Sequence, residues 1–512
     1  MKAFLMFRGR DFDLQSKSPP NEQALTQDLE LGVLLSAMSR DDKFLLEVSK
    51  KAVMSFLVDL EAILYRQDVL KDCLKNTTVA RDIYNIAVEA ITEERKIWGW
   101  YDRGDSPDRV TSRAVNALRL LAGKLKELRE VADRHSGSFE SEGFRTFFTM
   151  LKQELSDDYL ASIQAHLTEL EFRRGTLISA KLQKGNKGAN YTLRKQRGKK
   201  QGWISRVFLR DQARQYSFTL DERDENGPRY LGELREQGIN AIANALAQSG
   251  DNVLSFFKSL RTELAFYLAC MNLQEQLTQK GEPTCFPVPL GVGKHSQSVS
   301  GLYDACLSLK LGQRVVGNDV DAKDKDLVII TGANRGGKST FLRSVGVAQL
   351  MMQCGAFVPA ESFSSDVCVG LFTHFKRQED PTMKSGKLDE ELSRMSETVN
   401  HLTPNCTVLF NESFSSTNER EGSEVARQVV SALLKRQIKV VFVTHQYEVA
   451  RGFYDKKMPN ALFLRAERKA DGERTFKVIE GEPLQTSFGK DIYNRIFFNT
   501  PLSAPSVMPA SS

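Results

Sequence analysis

"VIITGANRGGKSTFL", running from Val328 to Leu342, decides the fold of this 512-residue chain. A β-branched run leads into Gly332, and Gly332, Gly336, Gly337, Lys338 and Ser339 satisfy G-x-x-x-x-G-K-[ST] between an expected strand and an expected helix. The spacing has a mechanical reason. Glycines let successive backbone amides curl around phosphate oxygens at a helix N-terminus, the lysine adds a point charge at the β/γ positions, and the serine hydroxyl faces Mg²⁺. Ala333, Asn334, Arg335 and Thr340 complete the candidate ATP-binding loop.

A loop of this kind works with further strands of the same parallel sheet. "LVIIT" at Leu327, "TVLF" at Thr407 and "VVFVT" at Val440 alternate with longer amphipathic stretches, the pattern of a sheet covered by helices. The second run continues into Asn411 and Glu412. Glu412 is the candidate base that polarises water for in-line attack on the γ-phosphorus, and Asn411 stands where a metal-linked Asp is expected. An amide oxygen accepts a hydrogen bond from a magnesium-bound water but brings no negative charge, so weaker Mg²⁺ binding and slow turnover are expected. Thr444 and His445 follow the third run, and His445 is the candidate γ-phosphate sensor.

Composition bounds the remaining possibilities. Charged residues are 27% of the chain, the net charge is +6, and no apolar run approaches the roughly 20 residues that span a bilayer. The N-terminus, "MKAFLMFRGRDFD", breaks its apolar run with charges and does not read as a secretory signal. A soluble, cytoplasmic protein without a membrane partner is expected. Seven cysteines occur without a Cys-x-x-Cys pair, which argues against a zinc site and a disulfide framework.

Lys181 to Arg210 carries ten Lys or Arg residues and no acid. Such a cluster releases counterions on meeting phosphates, so Lys195, Arg197, Lys199 and Lys200 are candidate nucleic-acid contacts, with Tyr191 and Trp203 adding stacking. The alternative is a solvated basic loop without a fixed partner.

The first half reads as an all-α lever and core region, with helical stripes at Leu118, Leu121, Leu125 and Leu128, at Leu57, Leu60 and Leu64, and at Leu260, Leu264 and Leu268. The Pro/Gly/Ser-rich passage from Lys280 to Gly301 marks the change of pattern. The expected organisation is a helical region over 1–285 with a basic, clamp-like segment at 181–210, an α/β P-loop domain over 286–500, and a disordered tail over 501–512.

"TGANRGGKSTFLRSVGVAQLMMQCGAFVPAE", "FNESFSSTNEREG", "FVTHQYEVA" and "SFGKDIY" together resemble the ATPase domain of the MutS family of DNA mismatch-repair proteins. "ILYRQDVLKDCL" and "FFKSLRTELAFYLACMNL" are similar to its core and lever helices. The resemblance implies an ABC-like ATPase that dimerises to form two composite ATP sites with Mg²⁺. It implies that "SFSSTNEREG" serves the dimer contact, with Thr417 and Asn418 matching the family's Thr-Ser. Asn334 matches its P-loop asparagine, His445 its Thr-His switch, and Asn318 in "VGND" an asparagine near the adenine.

The sequence departs from the family pattern at several positions. Asn411 replaces Asp, "SFSS" replaces a Gly-containing stretch, and Val315 stands where some members stack an aromatic residue on adenine. The serine that reaches the partner's ATP has only Ser393, in "GKLDEELSRMSE", as a candidate. Core-like helices begin within the first sixty or so residues, so the sequence resembles a shortened branch without mismatch-reading and connector domains. The expected function is a homodimeric, ATP-dependent clamp on structured or branched DNA. The alternative is a nucleotide-gated scaffold that recognises a protein or ribosomal partner with little turnover.

Overall fold

The computed structural model describes residues 1–99, 106–172, 175–184, 188–194, 224, 226–377, 386–469 and 473–484. It is mixed helix and sheet, and it divides into two compact units. One gathers Met1–Ala3, Thr78–Phe139 and Phe144–Arg261; the other gathers Phe4–Thr77, Glu140–Gly143 and the chain from Thr262. The division does not follow the boundary expected at 285/286, because residues 4–77 and 262–285 gather with the P-loop part.

The first unit is built from the helices Thr77–Trp98, Pro107–His135, Glu142–Glu154 and Asp157–Glu169 and the first part of a long helix, Asn226–Gln279. Helix Pro107–His135 starts with Pro at its first turn, where the missing N–H costs nothing. It buries Leu121, Leu125 and Leu128, as the stripe predicts, while Leu118 is only half-buried. Phe139, Phe144, Phe147, Phe148, Phe256 and Phe257 form an aromatic cluster with ring centroids 4.4 to 6.5 Å apart.

The expectation of an all-α first half needs correction. Strands β1 (Ile178–Leu182) and β2 (Gly188–Leu193) pair antiparallel, with Ile178 opposite Leu193 and Ser179 opposite Thr192. Ile, Tyr and Thr favour this pleated surface, while the interspersed lysines read as loop because the pair is solvated. Lys195, Arg197, Lys199, Lys200 and Trp203 lie outside the described residues, as do "SFGKDIY" and the tail over 501–512.

Among the described residues the second unit holds two sheets. Strands β3 (Val288–Leu290), β4 (Gln297–Leu302), β5 (Asn318–Ala322) and β7 (Ser362–Asp366) form one in the order β3-β7-β4-β5. Strands β6 (Leu327–Gly332), β8 (Leu371–Phe375), β9 (Thr407–Asn411), β10 (Lys439–Val443), β11 (Ala461–Arg468) and β12 (Arg474–Glu480) form the other, in the order β12-β11-β6-β10-β9-β8. All its pairings are parallel except β11 with β12. The three apolar runs read from the sequence are β6, β9 and β10, which are buried almost throughout. Phe410 and Phe442 have no exposed surface, and burial of each contributes on the order of 2–3 kcal/mol.

Helix Lys338–Gln353 is buried along most of its length. A Cβ on Gly346 would stand 2.7 Å from Leu29 and 2.8 Å from Leu409, so glycine there lets the helix fit between an N-terminal element and β9. The N-terminal segment is tied into this unit by buried polar groups. Glu263 accepts the N–H of Leu5 at 2.6 Å and of Phe12 at 3.1 Å, and Tyr267 donates to Leu5 O at 2.6 Å. Arg66, fully buried, donates to Met6 O and Cys354 O. These long-range bonds explain why residues 4–77 gather with the P-loop part. In helix Leu60–Lys75 the stripe expected at Leu60 and Leu64 is wrong: Leu64 is exposed, and Ile63, Arg66, Val69 and Leu70 face inward.

Candidate functional site

The parallel strands β6, β10 and β9 end on one edge, the position where open α/β sheets place their ligands. Each contributes one part of the site. After β6 the chain turns through Gly332, whose φ is +105°, and Gly337, whose φ is +90°. At Gly336 a Cβ would lie 2.7 Å from the Ala466 Cβ and 2.9 Å from Ala333 O, so a side chain there would push the loop off β11. At Gly337 it would lie 3.3 Å from Phe476 O on β12. These residues form a tight turn into helix Lys338–Gln353, with Ala333, Asn334 and Arg335 at its tip and Thr340 in the first helical turn.

Lys338 is buried, and its Nζ donates to Gly332 O at 3.1 Å and Ala333 O at 3.0 Å. Burial lowers the ammonium's pKa, partly offset by the carboxylate of Glu412. The charge therefore sits at the mouth of the loop with few competing anions, an arrangement that gains by exchanging carbonyl oxygens for a phosphate.

Ser339 Oγ donates to Asn411 Oδ1 at 2.8 Å, joining the loop to the end of β9. The next residue, Glu412, takes a left-handed conformation with φ +54°. Its N–H bonds Val443 O at 2.8 Å, and its Oε1 lies 2.8 Å from His445 Nε2. The His445 hydrogen bond is the largest cause holding the Glu412 carboxyl below the ordinary glutamate range; burial opposes it, and Lys338 and Lys376 assist. Glu412 is thus ionised at neutral pH, as a general base must be. His445 follows β10, the strand that lies between β6 and β9. Thr444 anchors it, with its N–H on Ile330 O at 3.1 Å.

The donor set suits Mg²⁺ in outline. Ser339 Oγ and Asn411 Oδ1, already in contact, are hard neutral oxygens of the kind that hold Mg²⁺ directly or through its waters. They would hold the ion without the carboxylate charge that usually strengthens it, and when bound the ion would screen phosphate charge. Among the described residues no cluster of three or more His, Cys, Asp or Glu presents another metal site.

Other residues expected at the site have different partners. Asn318 is buried and tied to β12, its Oδ1 accepting from Val478 N at 2.7 Å and its Nδ2 donating to Phe476 O at 3.5 Å. Val315 N donates to Glu282 Oε1 at 2.8 Å beside a cavity of about 150 Å³ lined also by Tyr303, Asp319 and Lys477. Asn418 caps helix Glu419–Lys435 through Glu421 N at 2.9 Å, and Thr417 Oγ1 donates to Glu421 at 2.8 Å. Ser393 is exposed on helix Lys387–Val399.

Three residues at the site escaped the sequence reading. Arg474 Nε donates to Asn334 O at 3.4 Å, and its charge acts on Lys338. Phe476, half-exposed with φ +60°, lies against Gly337. Gln446 Nε2 donates to Phe414 O at 3.0 Å and holds the turn after Glu412. Arg474 and Phe476 belong to no local motif, and nothing within "FVTHQYEVA" marks Gln446; the unusual signal is the positive φ of an exposed phenylalanine, which a sequence does not display.

Comparison with known proteins finds two family profiles along the chain. Residues 58–280 match the family profile described as the MutS2 N-terminal domain, and residues 328–502 match MutS domain V. The chain belongs to the MutS family. Among curated relatives, a protein named DNA mismatch repair protein MutS from Synechocystis is 26% identical over 407 residues, covering 73% of this chain and 43% of that protein. Its namesake from Trichormus variabilis is 24% identical over 445 residues, covering 77% and 50%. The Thermotoga MutS is 32% identical over 173 residues, covering 33% and 22%. The chain thus spans half or less of the length of these MutS relatives. Among the described residues no helix is long and apolar enough to cross a membrane.

Proposed function

We propose that the chain binds ATP with Mg²⁺ at the Gly332–Thr340 loop, hydrolyses it slowly, and acts as a dimeric clamp on structured or branched DNA. The observation that carries the nucleotide part is the convergence of Lys338, Ser339, Asn411, Glu412 and His445 on one sheet edge. Lys338 binds the β/γ oxygens, Ser339 and Asn411 hold the ion's shell, and Glu412 takes a proton from the attacking water. His445 holds the Glu412 carboxylate until the water is in place. Slow turnover follows from Asn411, which leaves the metal position without a protein charge beyond Glu412.

The DNA part rests on the family relationship and on the basic run from Lys181 to Arg210. Ten cations without an acid supply sequence-independent phosphate affinity, the kind a clamp needs and a base reader does not. Dimerisation, with each subunit completing its partner's ATP site, would couple nucleotide state to closing of the arms.

The test is a binding panel of linear, mismatched and branched DNA with and without ATP, read by anisotropy together with phosphate release. Tighter binding to branched DNA with ATP, and faster release on it, are the expected results. Binding that ignores both DNA shape and nucleotide would overturn the clamp and favour the scaffold.

A further inference from the structure

The turn that follows Glu412 is built unusually. Glu412 and Phe414 both adopt left-handed backbone conformations, φ +54° and +61°, without being glycine. Each such residue is strained, and two flanking a single residue persist only where the surroundings over-determine them. The surroundings here are specific. Ser413, between them, is fully buried, and its hydroxyl lies 2.5 Å from His374 O and 2.8 Å from His374 Nδ1. The His374 ring stacks on Phe414 with centroids 5.3 Å apart and planes 17° from parallel. Lys376 N bonds Asn411 O at 2.9 Å, and Ser415 Oγ donates to Glu412 O at 2.7 Å.

The network fixes the protonation of His374. Its Nε2 lies 3.1 Å from Glu391 O, a carbonyl that only accepts, so Nε2 carries a proton and donates. Burial, aided by the charge of Arg394, pushes the imidazole down to about 4, so the ring is neutral at pH 7 and Nδ1 is an acceptor. The single Ser413 proton is then shared between Nδ1 and the carbonyl of the same histidine. A serine locked twice to one residue of β8 cannot rotate away without leaving buried groups unsatisfied. The peptide joining Glu412 to Ser413 is held with it.

We propose that Ser413 and His374 are positioning residues for the hydrolysis step, holding the Glu412 turn so that its carboxylate meets the attacking water. This rests on the proposed ATPase reading. Neither side chain reaches the loop that binds phosphate; they act through Glu412, and through Glu391 O they tie that turn to helix Lys387–Val399. Binding of nucleotide depends on Lys338 and the glycines and is left alone.

The experiment compares full-length wild type with Ser413→Ala, His374→Phe and the double variant, measuring Tm, ATP and ADP affinity, KM and kcat. His374→Phe keeps the ring against Phe414 and removes both nitrogens, so it separates hydrogen bonding from packing. Small displacement of a reacting group costs up to about 100-fold. Each single variant is expected to lose roughly 10- to 100-fold in kcat with KM and affinity within about twofold, and the double variant to be no worse than the worse single one. Ser413→Thr, which restores the hydroxyl, should recover most of kcat. Wild-type kcat in both singles, or a loss matched by the fraction unfolded, overturns the positioning role. Wild type that binds ATP but never releases phosphate overturns the hydrolysis reading and this role with it.

Discussion

Ser339 donates its hydroxyl to Asn411 across 2.8 Å, so the phosphate loop and the tip of β9 meet through a neutral hydrogen bond. With an aspartate in that place the same contact would be charge-assisted and about twice as strong. The geometry of a metal-linked acid is therefore present without its charge. Asn411→Asp should tighten Mg²⁺ in the ATP complex about tenfold, equivalent to about 1.4 kcal/mol, and raise turnover. Titration of Mg²⁺ against ATP-bound protein, followed by phosphate release, checks both; an unchanged Mg²⁺ midpoint would mean that the amide is not limiting.

The Glu412–His445 pair predicts a pH profile. The His445 hydrogen bond is the first cause lowering the Glu412 pKa, so that carboxylate is ionised throughout the neutral range, and with Glu412 as the proposed base the acid limb of kcat is expected below the usual glutamate value. Removing that bond in His445→Ala raises the Glu412 pKa, which moves the acid limb to higher pH. A pH–rate profile of both proteins decides it: coincident acid limbs would show that Glu412 is not the titrating base.

Glu263 predicts a stability window. Burial pushes its carboxyl up to about 7 despite the backbone N–H groups of Leu5 and Phe12. The folded chain then holds that proton more tightly than the unfolded chain does. Its contribution is fully present below about 4.5 and lost as pH rises to about 7, a change of ~3 kcal/mol. Denaturant midpoints between pH 5 and 7.5 should fall more steeply in wild type than in Glu263→Gln. Parallel slopes would place the titration elsewhere.

For the basic segment, neutralising Lys195, Arg197, Lys199 and Lys200 should weaken DNA binding uniformly across sequences. Every cation that pairs with a duplex phosphate steepens the fall of log K with log salt by about 0.9, so the neutralised variant should show a shallower slope. An unchanged slope would assign the segment to solvent.

The residues that the sequence displayed best were those whose role is local. The glycine–lysine–serine spacing needs only a strand before it and a helix after it, and β6, β9 and β10 are continuous apolar runs because both faces of the sheet are covered. The hairpin β1–β2 was obscured by its lysines, which are compatible with a solvated strand. Leu64 followed a helical period but faces solvent, while Arg66, a charged residue, is buried against Met6 and Cys354 carbonyls. Arg474, His374 and Ser413 reach their partners over separations of 140 and 39 residues, which no local pattern reports. The joining of residues 4–77 to the P-loop part has the same origin, since Glu263 and Tyr267 act across more than 250 residues.

On the proposed reading Lys338 and Glu412 serve one nucleotide, the first in binding and the second in cleavage. Phosphate release from pre-bound ATP in a single turnover, with wild type, Glu412→Gln and Lys338→Ala compared at saturating Mg²⁺, tests it most directly. Slow release is expected from wild type, with ATP retained at least about tenfold longer by Glu412→Gln with affinity within about threefold, and ATP affinity lowered on the order of 10- to 100-fold in Lys338→Ala. Equal release rates for wild type and Glu412→Gln, or undiminished ATP affinity in Lys338→Ala, would contradict it.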